Sequence, residues 1–465
     1  MSCRSPLTLS HNDKHTLIWL SHPSGGPHAA TSLLYSLDIT SSPDLKQITT
    51  PLVDAVFKPV KDAFPGLYPD YNFVPYPILR FSPSTGPHLI THSVWGSRTT
   101  VLLISMTGTV KDLTPEDGNL YSWKVLATDD YSRIVCIRST PTSPNELVLG
   151  QLTESGEVVW RVLHKPTLHP RLEVELSTLR ASVIAIPDRY PTETIVIHSI
   201  VPPENVQNIR PCITSPHGGP HITTTTAFTP AILALALERY TISLPNYTGS
   251  LGFGESAVLA LIGNCGSLDV EDCIATTRHL IKLGISIEGP GKQFVLGGSH
   301  GGFLSGHLIG QYPEMFSAAI IRNPVISAGA MSMTDIPDWY FAEFGQAYPI
   351  ASSRSAAEKP QEGAVAFPPI TSPKIFERVH RASPIAHVDA VRASVLLLIG
   401  AADLRVAPTL GIEYYHALKQ RARQGTRIEL LIFDGDNHPL DGVETARVVA
   451  EAARDFLKWA ETHVN

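Results

Sequence analysis

The sequence predicts an α/β protein in two parts: an all-β region, and after it a domain whose mostly parallel sheet carries helices on both faces. Three observations predict it. From Thr16 to Val162 the chain is a series of short runs rich in β-branched and aromatic residues, without helical periodicity. From Cys212 onward, strand-like runs alternate with longer amphipathic stretches, the grammar of a parallel sheet with crossover helices. The residues able to do chemistry fall just after those strand-like runs, where such sheets place their sites.

In the first part, strand-like runs include Thr99–Ser105, Arg133–Arg138 and Leu147–Leu152, with a turn cluster at Thr140–Asn145 between the last two. A spacing of about ten residues suits antiparallel strands in a sandwich or propeller. A propeller blade takes roughly 40–50 residues, so residues 1–164 hold material for about three blades, fewer than close a ring. The reading is a truncated, propeller-like all-β region. A proline-bearing bridge, Lys165–Pro170, opens the second part, residues 165–465, with strand candidates Ala181–Ile186 and Glu193–Ile200. Later strand-like runs end at Pro216, Tyr247, Ser299, Asn323, Asp403 and Asp434. Helix-like stretches cover Phe228–Arg239, Leu268–Leu283, Gly301–Tyr312, Pro408–Arg423 and Gly442–His463.

Composition narrows the function. At 465 residues the chain exceeds one compact core, and 43% hydrophobic with 17% charged residues supplies apolar surface to bury. Thirty-six Lys and Arg against 43 Asp and Glu, with no basic stripe, argue against nucleic acid as a partner. Five scattered cysteines, none in a CxxC pair, read as reduced thiols rather than a zinc site. Met1–Asp13 lacks the apolar core of a secretory signal, and no apolar run is long enough to span a bilayer, so the expectation is a cytoplasmic protein with no membrane role.

The strongest motif is Gly297-Gly298-Ser299-His300-Gly301-Gly302, which follows the apolar run Phe294-Val295-Leu296 and opens a helical stretch. Glycines at 297 and 301 keep side chains out of a sharp turn that presents the Ser299 hydroxyl above the sheet and aims the His300 N–H at a developing oxyanion. That context is the nucleophile elbow of an α/β-hydrolase domain. His217-Gly218-Gly219-Pro220-His221, after the run Cys212–Ser215, has the form of an oxyanion loop. It makes the Gly219 N–H the second donor and His217 a brace beside the substrate. Asp403 follows the apolar run Val395–Gly400, and His438 follows Arg427–Phe433 on the polar turn Asp434–Asn437. Ser299, Asp403 and His438 therefore run in the order such hydrolases use for nucleophile, acid and base, a chemistry needing no metal or organic cofactor. Asp434, Asp436 and Asp441 rank below Asp403, because aspartates crowded in a loop usually form turns.

These residues, with Asn246–Gly254 (NYTGSLGFG), Gly297–Tyr312 (GGSHGGFLSGHLIGQY), Arg322–Val325 (RNPV), Thr334–Trp339 (TDIPDW), Ser383-Pro384-Ile385 and Asp403–Val406 (DLRV), resemble the acylaminoacyl-peptidases of the prolyl oligopeptidase group. The resemblance covers the chain from about Cys212 onward and, more weakly, the blades upstream. It implies a β-propeller followed by a catalytic α/β-hydrolase domain that releases an N-acylated amino acid from a short peptide. Family roles fall on Ser299, Asp403 and His438, with oxyanion donors at Gly219 and His300. Arg405 corresponds to a family arginine near the substrate, a surface salt bridge being the alternative. Three departures stand out: Thr248 replaces the arginine of NYRGS, removing a charge contact; Pro439 follows the histidine; and the propeller region is short, which bears on size selection. Two other readings stay open, a general carboxylesterase and a catalytically idle fragment serving as an interaction module. A dipeptidyl peptidase would need amine-binding acids, and no paired-glutamate motif is evident. Short N-acylated peptides are the expected partners, with homo-oligomers through exposed blade edges.

Overall fold

A computed structural model describes residues 2–23, 27–41, 50–82, 84–115, 118–202, 209–346 and 372–463. The first part folds into three antiparallel meanders of three, four and four strands. They are β1–β3 (Ser2–His11, Lys14–His22, Leu33–Asp38), β4–β7 (Ile78–Leu79, His88–Trp95, Arg98–Ser105, Val110–Asp112) and β8–β11 (Ser122–Thr128, Arg133–Thr140, Ser143–Leu152, Val158–His164). Local sequence explains the hairpins. Asn12 and Asp13 form a two-residue turn with φ of 49° and 60°, the left-handed pair that matches strand twist and that Asn and Asp tolerate. Along β10 burial alternates, so Glu146, Val148, Gly150 and Leu152 face inward. Successive sheets are sealed together by apolar layers: Ile18, Leu34, Leu89 and Ile104 between the first two, Leu103, Trp123, Ile134 and Val148 between the second and third.

The proline-bearing bridge Lys165–Pro170 leads into a helix that the sequence did not reveal, α1 (Pro170–Ser177). Pro170 opens it, His169 Nδ1 accepts the Arg171 N–H at 3.3 Å, and Arg171 pairs with Glu175 one turn on. Only Leu176 is buried, so the helix has no apolar stripe for periodicity to reveal.

The second part is built on an eight-stranded sheet of β12 (Leu179–Ala185), β13 (Glu193–Ser199), β14 (Cys212–Thr214), β15 (Thr241–Asn246), β16 (Gln293–Gly298), β17 (Ala318–Arg322), β18 (Ser394–Gly400) and β19 (Ile428–Phe433). Its order is β12-β13-β15-β14-β16-β17-β18-β19; β12 and β13 pair antiparallel, and every pairing from β15 to β19 is parallel. Helices α2 (Pro230–Leu237), α3 (Glu255–Ala260), α4 (Leu268–Lys282), α5 (His300–Gln311), α6 (Pro337–Glu343), α7 (Pro373–Arg381), α8 (Pro408–Arg421) and α9 (Val443–His463) flank it. On one face α4, α5 and α8 bury Ile274, Phe303, Leu308 and Tyr414 against Val295, Ile321 and Leu397. On the other, α2 and α9 bury Leu235, Phe456 and Leu457 against Phe294, Ile320 and Leu398.

The β meanders sit directly on loops of the hydrolase sheet. Asn246 Nδ2 donates to Ser97 Oγ at 2.7 Å and to Thr224 O at 2.8 Å, Glu193 Oε1 accepts the Ser97 N–H at 2.9 Å, and Ser122 Oγ lies 2.9 Å from Thr226 Oγ1. Nor does the loop carrying Thr248 lack a cation. Arg189, from the β12–β13 connection, holds Asp272 at 2.6 Å, while the Thr248 N–H donates to the other oxygen of that carboxylate at 2.7 Å. Among the described residues no helix is long and apolar enough to cross a membrane.

Candidate active site

Strand β16 delivers Ser299 into a sharp turn with φ 58° and ψ −123°, and α5 begins at the next residue. The turn requires glycine on both sides. A Cβ on Gly297 would lie 2.1 Å from Gly301 O, and one on Gly301 would lie 2.3 Å from Pro216 O. The Ser299 N–H donates to Arg322 O at 3.0 Å and its carbonyl accepts the Phe303 N–H at 3.0 Å, so the strand on one side and the helix on the other hold the strained residue in place.

Two strands away, Asp403 follows β18. Its Oδ1 accepts the N–H groups of Arg405 and Val406 at 2.8 and 2.9 Å, and Oδ2 lies 2.6 Å from His438 Nδ1. With Nδ1 turned to the carboxylate, Nε2 is the free ring nitrogen of His438. The Asp403 side chain is buried and that of His438 is partly open. Ser299 and His438 line one cleft of about 470 Å³ with His217, Gly218, Thr223–Thr225, Leu296, Arg322 and Pro439. Asn323 was not singled out for the site in the sequence, yet it clamps the histidine loop: its Nδ2 donates to His438 O at 2.9 Å and its Oδ1 accepts the Gly400 N–H at 2.8 Å.

On the opposite side of Ser299 lies the loop after β14. Gly218 approaches so closely that a Cβ there would sit 3.4 Å from Ser299 Cβ. Gly219 has φ 112°, open to glycine and strained for other residues, and is not among the cleft-lining residues. His217 stacks on Tyr247 with ring centroids 4.3 Å apart, donates from Nδ1 to Gly218 O at 2.7 Å, and sets Nε2 2.8 Å from Ser250 Oγ. Burial pushes its pKa down to about 3, and the neighbouring imidazoles of His300 and His221 push the same way, so it stays neutral. Tyr247 also donates to His217 O at 3.0 Å. His217 thus rims the cleft as a locked brace.

His300 follows Ser299 and is fully buried, outside the residues that line the cleft. It is the first residue of α5, where N–H groups lack intrahelical acceptors. Its side chain sets Nε2 2.9 Å from Asp269 Oδ2 and stacks the ring on Phe303. Arg405 is not among the cleft-lining residues; its Nε donates to Asp335 Oδ1 at 2.8 Å in a half-exposed ion pair. Among the described residues two clusters bring three potential metal-ligand atoms within 4.8 Å of one another: His28, His221 and Glu343, in which His28 is partly exposed, and the fully buried Cys265, Asp269 and His300. In the first, Glu343 Oε2 lies 2.6 Å from His221 Nε2 and Oε1 3.1 Å from His28 Nδ1, so imidazoles already occupy the carboxylate.

Residues 227–361 and 368–465 match the prolyl oligopeptidase family. The chain belongs to the prolyl oligopeptidase family. Within it, residues 7–174 match the N-terminal domain of acylamino-acid-releasing enzyme. The acylamino-acid-releasing enzyme of Arabidopsis thaliana is 35% identical over 440 residues, covering 90% of this chain and 54% of that one. The mouse enzyme is 32% identical over 460 residues, covering 97% and 58%. The chain therefore spans a little over half the length of these relatives. Among solved structures, an acylaminoacyl peptidase of Pyrococcus horikoshii superposes with a TM-score of 0.68 at 17% identity, covering 97% of this chain and 62% of that one. A puromycin-hydrolysing peptidase of Mycobacterium tuberculosis gives 0.66 at 21%, covering 99% and 63%. These likenesses establish the fold.

Proposed function

We propose that the chain is a serine hydrolase of the acylaminoacyl-peptidase kind, releasing an N-acylated amino acid from short peptides. The observation that carries this reading is the meeting of Ser299, on its strained turn, with His438 in one cleft, His438 being held at 2.6 Å by a buried Asp403. His438 Nε2 takes the Ser299 proton as Oγ attacks the carbonyl carbon of the acylated residue, and Asp403 stabilises the imidazolium. The oxyanion is received by the His300 N–H, next to Ser299 at the start of α5, and by the Gly219 N–H, one residue beyond the cleft-lining Gly218. His438 then returns the proton to the leaving amine, and water frees the acylated amino acid from Ser299 by the same steps in reverse.

The specificity is supported by relatives named acylamino-acid-releasing enzyme in plants and mammals. Division into domains 1–164 and 165–465 is supported by the change from antiparallel meanders to the parallel sheet. Five unpaired cysteines favour a reducing, cytoplasmic setting. Self-association is supported by β11, the outer strand of its sheet, which exposes Val159 and Leu163. Light scattering on the purified protein tests that part, and a monomer at all concentrations rejects it.

Hydrolysis of N-acetyl-alanyl p-nitroanilide, alanyl p-nitroanilide and p-nitrophenyl butyrate by the protein and by Ser299→Ala tests the function. Cleavage of the acetylated anilide alone among the two anilides, lost in Ser299→Ala, is expected. Ser299-dependent ester cleavage without amide cleavage would make it a general carboxylesterase.

A further inference from the structure

Arg322 ends β17 in register with Gly298, and its guanidinium forms part of the cleft wall beside the nucleophile. A Cβ on Gly298 would lie 3.5 Å from both Nε and Nη2 of Arg322. Nε is buried without a hydrogen-bond partner, and among the described residues nothing forms an ion pair or hydrogen bond with this guanidinium. The contrast within the same sheet is plain, since Arg427 on the approach to β19 holds Glu429, and Arg405 holds Asp335. Arg322 as a residue is only partly buried. The cleft side of this cation can therefore meet water or a ligand while its Nε is left desolvated and unpaired, which is unfavourable. Burial does lower the pKa of Arg322, but a guanidinium loses its proton only far above neutral pH. Such a charge is stabilised when an anion arrives.

Strand order says which part of a substrate would bring that anion. The oxyanion loop follows β14, on one side of β16, whereas Arg322 ends β17 and Asp403 and His438 follow β18 and β19 on the other. His438 must reach the leaving amine to protonate it, so the leaving portion lies on the side of Arg322. A guanidinium fork matches a carboxylate with two parallel hydrogen bonds.

We propose that Arg322 is a specificity residue that binds a carboxylate in the leaving portion of the substrate. This rests on the reading of Ser299 and His438 as nucleophile and base. Two sources offer that carboxylate at similar reach: the terminal α-carboxylate when a single residue follows the scissile bond, and an Asp or Glu side chain at that residue. The first would give a preference for acylated dipeptides.

The test measures calorimetric binding of N-acetyl-Ala-Ala, its C-terminal amide, and N-acetyl-Ala-Asp-amide to Ser299→Ala and to Ser299→Ala with Arg322→Gln. Binding of the free acid about 10- to 100-fold tighter than its amide, with the difference gone in the double variant, is expected. A like preference for the aspartyl amide would assign the side-chain carboxylate as a source as well. Equal binding of acid and amide to Ser299→Ala overturns the proposal. So does an equal loss for all three ligands in the double variant. In turnover, the ratio of kcat/KM for acid over amide should fall by the same factor in Arg322→Gln. Removal of an unpartnered charge should leave the melting temperature no lower, and Arg322→Met provides a second check; if both variants unfold, the side chain is structural and the proposal fails. Acid-selective binding with no amide turnover would sink the peptidase reading but keep the Arg322 site, whereas turnover with no acid preference would do the reverse.

Discussion

At the scale of single residues, the site depends on positions held away from their relaxed states. Ser299 keeps φ 58°, a conformation that costs about 1–3 kcal/mol for a residue with a Cβ. Asp403 engages His438 with one oxygen and two backbone N–H groups with the other, which fixes both the imidazole orientation and its tautomer. Asp403→Asn should therefore lower kcat by roughly 10⁴-fold with KM little changed, read from steady-state kinetics on the acetylated anilide. His217 predicts a pH effect on stability. Its folded pKa of about 3 lies below the ordinary 6.5, so the unfolded chain takes up this proton first. The stabilisation is complete above pH 6.5 and declines as pH falls from 6.5 toward 3, by at most about 1.4 kcal/mol per pH unit. Urea midpoints at pH 7.5, 5.5 and 4.5 should fall more steeply for the wild type than for His217→Asn; parallel slopes would exclude His217 as a source.

At the scale of elements, the elbow is the most tightly specified piece of the chain. A Cβ on Gly301 would meet Pro216 O at 2.3 Å, backbone against backbone, so the clash is relieved only by moving α5 away from the oxyanion loop. Gly301→Ala should reduce kcat at least a hundredfold and lower stability by about 1–3 kcal/mol; chemical denaturation and the esterase assay check the two parts. This element was legible because strand, turn and helix signals fall within some fifteen residues. So were α4, α8 and α9, whose observed ends lie within two residues of the predicted ones, because long helices carry their own apolar stripe. Helices α1, α3, α6 and α7 were missed. They span eight, six, seven and nine residues, too few turns for periodicity to stand out, and such short helices depend on packing for their stability. The antiparallel edge of the sheet, β12 with β13, was also unresolved in the sequence, since a strand does not encode the direction of its neighbour.

At the scale of the whole molecule, the β meanders and the hydrolase sheet meet at Ser97, Glu193, Asn246 and Thr226, next to the threonines that line the cleft. Asn246 is the hub. It is buried, donates to Ser97 and Thr224 O, and accepts the Thr224 N–H at 2.9 Å. Asn246→Ala leaves those partners unsatisfied and should lower stability by about 2–3 kcal/mol. Because Thr224 lines the cleft, activity should fall as well; unchanged kinetics beside the lost stability would mean that the meanders only support the fold. By itself the sequence determined the order of Ser299, Asp403 and His438 and the strand end at which each stands, because each sits in a local pattern of apolar run, turn and helix. Only the tertiary structure set Asp403 2.6 Å from His438, paired Arg405 with Asp335, joined Asn323 to the His438 loop and left Arg322 unpartnered in the cleft among the described residues. Those partners lie 35 to 115 residues apart in the chain. Meetings at such separations are decided by which strands adjoin and which helices cover them, and no short stretch of sequence carries that information.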